Sequence, residues 1–179
     1  MDLSQLDTLV DAAKRQDPEA LGSLCERFYP PVYRFILHKV RRKEDAEDLA
    51  SEVCVRVVES LPNQAGSFAA WVFRIARNLI TDFYRRGAVR QEVALSDGVA
   101  ETLAGPVGRD GLPVLSHQLE RALAILTPEQ REVLHLRFVE ELDAEEIGEI
   151  QGRTAGAVRA LQFRALGTLR GALAPSGGD

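Results

Sequence analysis

The chain has 179 residues, 45% of them hydrophobic and 27% charged, a balance that excludes intrinsic disorder and describes a globular protein. No apolar run approaches the roughly 20 residues that a membrane-crossing helix needs, and the N-terminus lacks the basic start and apolar block of an export signal, so a cytoplasmic protein without membrane insertion is expected. A net charge of −5 argues against a tight, autonomous DNA binder, because phosphate neutralisation normally needs a basic protein.

The basic residues are unevenly placed. Lys14, Lys39 and Lys43 are the lysines, and every other basic residue is arginine. Residues 67–90 hold Arg74, Arg77, Arg85, Arg86 and Arg90 against Asp82 alone, and beyond Ile150 the charges before Asp179 are Arg153, Arg159, Arg164 and Arg170. Two basic patches therefore sit on an acidic body. Cys25 and Cys54 are too few for a disulfide framework and lack metal-ligand spacing; reduced, buried thiols are expected. His38, His117 and His135 are scattered, so no metal site and no cofactor are expected.

In chain order, Asp17-Pro18-Glu19 reads as an N-cap, a proline in the first turn and an acid at the positive helix end. Leu21, Leu24, Cys25 and Phe28 follow at helical spacing. Pro30-Pro31 is expected to bend or break that helix before Val32, Tyr33, Ile36 and Val40 resume it. Residues 44–61 read as a second helix with an apolar stripe of Leu49, Val53, Val57 and Leu61 and an acidic start of Glu44, Asp45, Glu47, Asp48 and Glu52. Carboxylates at that spacing suit a di-metal centre only with a Glu-x-x-His partner, which the chain lacks; favouring the helix dipole and facing a basic partner is the better account. The loop 62–66, PNQAG, leads into the next helix.

On that helix, at about 100° per residue, Phe68, Trp71, Val72, Ile75, Leu79 and Phe83 share one side, the expected core face. The other side carries Phe73, Arg74, Arg77, Asn78, Thr81, Tyr84 and Arg85. Aromatics that accept unstacked bases, among guanidinium groups that hold phosphates, suit single-stranded nucleic acid. A core helix with a solvated basic face fits the same pattern. From Gly87 to Ser116 periodicity fades and Gly98, Gly105, Pro106, Gly108, Gly111 and Pro113 appear, so a flexible linker over 91–115 is expected to join a domain at 1–90 to another at 116–174. The fold class expected is all-α, two small helical domains.

In the second domain Leu119, Leu123 and Leu126 define one helix. Thr127-Pro128-Glu129-Gln130 is a capping box with proline at the first helical position, opening a helix filled by Val133, Leu134, Leu136 and Phe138. Asp143 with Glu146 caps the next, Gly152 fits a turn, and Thr154 caps the last, which makes a helix–turn–helix. On the last helix Val158, Leu161, Ala165, Leu169 and Ala172 line one side. The opposite side presents Arg153, Gly156, Arg159, Ala160, Phe163, Arg164, Gly167 and Arg170. Small residues allow close approach to a groove, arginines reach guanine edges or phosphates, and Phe163 can touch a thymine methyl. A helical hairpin with a solvated basic face is the competing reading.

Taken together these segments resemble a bacterial sigma factor of the extracytoplasmic-function (ECF) type. DAEDLASEV is similar to the family's polymerase-binding helix, with Ser51 where Gln is usual. FAAWVFRIARNLITDFYRR is similar to its W-L-x-R-I-A-R-N-x-x-x-D-x-x-R-R signature, and LTPEQREVLHLRFVEELDAEEIGEI with TAGAVRALQFRAL is similar to its minus-thirty-five-reading domain. The resemblance implies a promoter-specificity subunit, not an enzyme, with no catalytic residue of its own. It implies that Asp45, Glu47, Asp48, Leu49 and Glu52 dock on the clamp helices of the largest subunit of core RNA polymerase. The 62–68 loop, with Asn63, Gln64 and Phe68, would capture a flipped minus-ten base, assisted by Trp71, Arg74, Arg77 and Asn78. Arg159, Phe163 and Arg164 would read the minus-thirty-five duplex, supported by Arg153 and Thr154 near the backbone. The linker would run through the polymerase interior, and an anti-sigma factor is an implied partner. Against the pattern, Leu161, Leu166, Gly167 and Thr168 stand where the family's last helix usually continues basic, which implies fewer phosphate contacts, and the uncharged loop PNQAG leaves the flipped base unnamed. Two rivals are set beside this: a free-standing operator-binding regulator using only the helix–turn–helix, and a hydrolase or transferase centred on His38, Asp45, Asp48 and Glu52, for which no nucleophile–base pair, phosphate loop or metal cluster is present.

Overall fold

The structure, a computed structural model, describes residues 3–40, 42–96 and 117–174. The chain divides into two compact units, Met1–Gly108 and Arg109–Asp179, and the described elements of each are helical.

In the first unit, α1 spans Leu3–Lys14, α2 Pro18–Leu37, α3 Lys43–Ser60 and α4 Phe68–Ser96, with a single 3₁₀ turn at Leu61–Asn63 before α4. Helix α2 packs against α1, α3 and α4, and α3 also packs against α4. No helix is expected before Asp17 from the sequence; α1 forms because Leu6, Leu9, Val10 and Ala13 recur at helical spacing, and it buries Val10 and Ala13. Asp17 caps α2, its Oδ1 accepting from the Ala20 N–H at 3.0 Å, with Pro18 in the first turn. The expected break at Pro30-Pro31 does not occur: α2 is one helix of 20 residues. The carbonyls that lose their partners belong to Glu26 and Arg27, which lie with Pro30 on an exposed face, where water can replace the missing N–H groups. Helix α4 runs to Ser96, past the expected domain end at 90 and into the expected linker. Residues 88–96 contain neither Gly nor Pro, and Gly87 alone costs a helix about 1 kcal/mol. The rest of that linker, 97–115, lies outside the described residues.

The core of this unit joins Val32, Phe35, Ile36 and Val40 to Ala46, Leu49, Val53 and Val57, and both to Val72, Phe73, Ala76 and Leu79. Phe35 and Phe73 meet edge to face with centroids 5.3 Å apart, a geometry that contributes about 0.5–1.5 kcal/mol beyond the area it buries. Cys25 of α2 and Cys54 of α3 line one apolar cavity with Leu24, Phe28, Val53 and Phe68. Burial, the neighbouring Cys25 charge and a hydrogen bond between the two thiols push the Cys54 thiol up to about 11 from its ordinary 9.0. The unfolded chain therefore releases this proton first, so the contribution is complete below pH 9.0 and is lost as the pH rises towards 11. Urea midpoints should fall between those limits, and Cys54→Ser should flatten the fall; an unchanged slope in that variant would remove Cys54 as its source.

In the second unit, α5 spans His117–Ile125, α6 Pro128–Phe138, α7 Ala144–Gln151 and α8 Ala155–Leu173, and α8 packs against the other three. The expected caps all form. Thr127 Oγ1 accepts from the Gln130 N–H at 3.2 Å while the Gln130 side chain accepts from the Thr127 N–H at 3.0 Å. Asp143 and Glu146 make the same reciprocal pair at 2.8 Å. Gly152 ends α7 in the left-handed region at φ 66°, where glycine carries no steric penalty, and Thr154 Oγ1 accepts from the Ala157 N–H at 3.2 Å to start α8. Phe138, expected to fill the α6 core face, is exposed: two residues beyond Leu136 it lies about 200° round the helix. Glu132 is buried instead, accepting from the Gln151 side chain at 3.2 Å.

Candidate nucleic-acid interface

In the first unit the approach to α4 is a shaped loop. Gln64 turns inward, buried, and its Nε2 donates to the Gly66 carbonyl at 2.8 Å, while Gly66 takes φ 76° and Asn63 stays exposed. Ser67 Oγ then accepts from the Ala70 N–H at 3.2 Å, starting the helix. Phe68 is buried against the Phe28 ring at 4.9 Å and the Trp71 ring at 5.8 Å. Of the loop's candidate base contacts, Asn63 faces outward, whereas Gln64 and Phe68 hold the loop's form.

The buried face of α4 is rotated from the expected one, towards Phe73 and away from Trp71. Phe73, expected among the exposed aromatics, is 2% exposed, because α2 and α3 both pack on α4 and the Phe35 ring of α2 meets it edge to face. Trp71, expected on the core side, is half-exposed. Tyr84 is exposed, yet its hydroxyl donates to the Lys39 carbonyl, which ties it to the end of α2. Arg74 and Asn78 are exposed and Arg77 half-buried on one face, with no hydrogen-bond or ion-pair partner for Arg74 or Asn78 among the described residues. This face offers guanidinium and amide donors flanked by one accessible indole edge, which suits phosphates and unpaired bases.

Helix α3 presents Glu44, Glu47 and Asp48 to solvent, with Asp45 and Glu52 half-buried. Several acids are paired locally: Glu44 with Arg42 at 3.6 Å, Glu47 with Lys43 at 3.7 Å and Glu52 with Arg56 at 2.8 Å. Asp48 has no such partner among the described residues. Leu49 is 4% exposed; it anchors the helix from behind. Among the described residues no group of three His, Cys, Asp or Glu side chains is arranged to hold a metal ion.

In the second unit the expected face of α8 is present. Val158, Leu161 and Ala165 are buried, and Arg159, Ala160, Arg164, Gly167 and Arg170 are exposed opposite them, with Phe163, at 78%, the most exposed large apolar residue among the described residues. Thr154 contributes its oxygen to the cap, leaving its hydroxyl proton for an acceptor such as a phosphate. Two carboxylates not anticipated from the sequence join this face: Glu129 lies 2.9 Å from Arg153 and Glu145 lies 3.3 Å from Arg159. No spacing signal announces such pairs, since Glu129 and Glu145 belong to helices other than the turn and helix that carry Arg153 and Arg159.

Residues 24–90 match the Sigma-70 region 2 family and residues 122–171 the Sigma-70 region 4 family. The chain is 32% identical over 176 residues to the ECF RNA polymerase sigma factor BldN of Streptomyces coelicolor, an alignment covering 94% of this chain and 66% of that protein. It is 34% identical over 179 residues to the ECF RNA polymerase sigma factor ShbA of Streptomyces griseus, covering 92% of this chain and 93% of that one. The solved sigma factor RpoE of Bartonella quintana, in complex with the anti-sigma factor NepR, shares the fold with a TM-score of 0.62 at 24% identity, over 83% of this chain and 92% of that chain.

Proposed function

Because this chain belongs to the ECF RNA polymerase sigma factors, the subunits that give RNA polymerase its choice of promoter, we propose that its two exposed arginine faces act on one promoter in two different ways. The observation that carries this is the pair of faces itself: each lies opposite a buried core, one in the unit matching region 2 and one in the unit matching region 4. Arg153, Thr154, Arg159, Phe163 and Arg164 read the minus-thirty-five duplex. Asn63, Trp71, Arg74, Arg77 and Asn78 hold the separated minus-ten strand, with Gln64 and Phe68 shaping the loop that receives a base. Asp45, Glu47, Asp48 and Glu52 dock on the clamp helices of the largest subunit of core polymerase, and Leu49 keeps their helix in place. The division into 1–90, 91–115 and 116–174 belongs to this proposal, with the helix at the end of the first domain reaching Ser96.

The net charge of −5 fits a protein that binds DNA weakly alone. Core polymerase supplies the remaining affinity by holding both units at promoter spacing, an effect of effective concentration. Unpairing costs a few kcal/mol per flipped base, offset by pocketing and stacking it. The chain is a specificity subunit, and bond formation belongs to core enzyme. It works in the cytoplasm, where the polymerase is, and an anti-sigma factor is its expected regulator, supported by the RpoE–NepR complex.

Run-off transcription with core polymerase on a genomic fragment library tests the whole. New start sites should appear only when the chain is added; sites opened equally without it, or promoter duplex shifted by the chain alone, would overturn the reading. Arg164, exposed and without a carboxylate partner among the described residues, gives a local test. Arg164→Ala should cost roughly 1–3 kcal/mol and relax preference within the upstream element. A promoter-library selection that returns an unchanged upstream consensus would take Arg164 out of the readout.

A further inference from the structure

The arginines of the duplex-reading face are not equivalent. Arg164 and Arg170 meet no carboxylate among the described residues. Arg159 Nη1, by contrast, lies 3.3 Å from Glu145 Oε1, a side chain in the first turn of the preceding helix α7. Glu145 stands on fixed backbone, since it lies within the reciprocal Asp143–Glu146 cap. Both partners are well exposed, with side chains 64% and 62% accessible, and an exposed pair of this kind adds little to folding stability. Its place on the α8 face points to a different use.

We propose that Glu145 is a specificity-determining positioning residue, which holds the Arg159 guanidinium by one edge and presents the other to a base pair. This rests on the reading of α8 as the duplex-reading helix. A guanidinium carries five N–H donors in a rigid fork, so one contact to Glu145 leaves a full edge for the paired O6 and N7 acceptors of a guanine. An untethered arginine is free to follow the strongest field, which on DNA is the phosphate backbone. With Glu145 beside it, Arg159 belongs to a neutral pair and gains little from neutralising a phosphate, because the counterion release that drives such contacts scales with net positive charge delivered. The tether thus lowers indiscriminate affinity and raises the share of Arg159's interaction that depends on the base. As the groove excludes water, the Glu145–Arg159 attraction strengthens and orientation is held more firmly. Arg153 and Glu129, at 2.9 Å, repeat the arrangement at the turn before α8.

The test uses the full chain assembled with core polymerase, bound to a library randomised across the upstream element at two salt concentrations. The chain is taken as wild type, Glu145→Gln, Arg159→Ala and the double variant. Arg159→Ala should erase preference at one base pair. Glu145→Gln should weaken preference at that same base pair, bind non-specific duplex several-fold more tightly, and steepen the salt dependence by up to about 0.9 in log–log slope, one phosphate contact. The double variant should match Arg159→Ala alone in base preference. Thermal melting of Glu145→Gln should equal wild type, which separates the effect from a structural one. If Arg159→Ala loses the base preference while Glu145→Gln keeps both preference and slope, Glu145 has no positioning role. If Arg159→Ala itself leaves the upstream preference intact, the assignment of Arg159 as a base reader fails, and the role of Glu145 fails with it.

Discussion

Gly148→Ala should destabilise the second unit by about 3 kcal/mol, the upper end of the usual cost of overpacking, and abolish initiation that depends on the upstream element. Gly148 is buried in α7, and a Cβ placed on it would sit 2.6 Å from the Arg153 carbonyl oxygen. That oxygen is backbone, and the same turn is held by the Arg153 N–H donating to the Gly148 carbonyl at 2.9 Å. No side chain can swing aside to relieve the contact, so the turn between α7 and α8 must open, and opening it re-aims the α8 face proposed to read the duplex. The unit's location in the fold makes the measurement selective. Trp71, Tyr29, Tyr33 and Tyr84 all lie in the first unit, so tryptophan fluorescence should report an unaltered urea transition while far-ultraviolet circular dichroism shows an earlier one. Gly156→Ala is the control: a Cβ there meets nothing within 4 Å, and replacing a helical glycine should raise stability by up to about 1 kcal/mol. Equal stability of Gly148→Ala and wild type would mean that the turn is not the rigid joint described.

The features that could be read from the sequence are those written in adjacent residues. The caps at Asp17, Thr127, Asp143 and Thr154 and the glycine at 152 each involve partners three or four positions apart, and all formed as expected. The α8 face was legible for a related reason: its buried residues, Val158, Leu161 and Ala165, fall within a narrow arc at about 100° per residue. Helix α4 did not divide that way, because its buried residues, from Phe68 and Val72 round to Phe73 and Ile80, spread over a much wider arc. Phe73 is claimed by Phe35, nearly forty positions earlier, and no local pattern contains that pairing. Phe138 continues the apolar composition of α6 but not its angle, since it lies about 200° round the helix from the buried Leu136. The carboxylates on Arg153 and Arg159 were invisible because an ion pair between separate segments of the chain leaves no periodic trace. Pro30-Pro31 kept its helix because the carbonyls it strands face water, a fact about exposure and not about proline.

Asp48→Arg is expected to abolish association with core polymerase while leaving the chain folded. Asp48 is exposed on α3 and has no ion-pair or hydrogen-bond partner among the described residues, so in the free protein its charge is uncommitted. Immediately behind it Leu49 and Ala50 are buried, which fixes the helix face from which the carboxylate projects. Removing one member of a buried, hydrogen-bonded charge pair across an interface costs 2–5 kcal/mol or more, and at about 1.4 kcal/mol per decade the lower figure is already roughly 30-fold in Kd. Reversal adds repulsion against the basic surface that an acidic docking face requires, so the loss should exceed that of Asp48→Asn. Helix α3 itself has reason to tolerate the change. Glu44 and Glu52 lie four residues before and after position 48, and an arginine between them gains ion pairs at the spacing that supports a helix by about 0.2–0.5 kcal/mol each. Circular dichroism and urea midpoints should therefore match wild type, and titration of labelled chain with core polymerase should show no saturable binding at concentrations where wild type saturates. A wild-type Kd for this variant would place the docking contact elsewhere on α3, with Glu47, already engaged by Lys43 at 3.7 Å, the next residue to reverse.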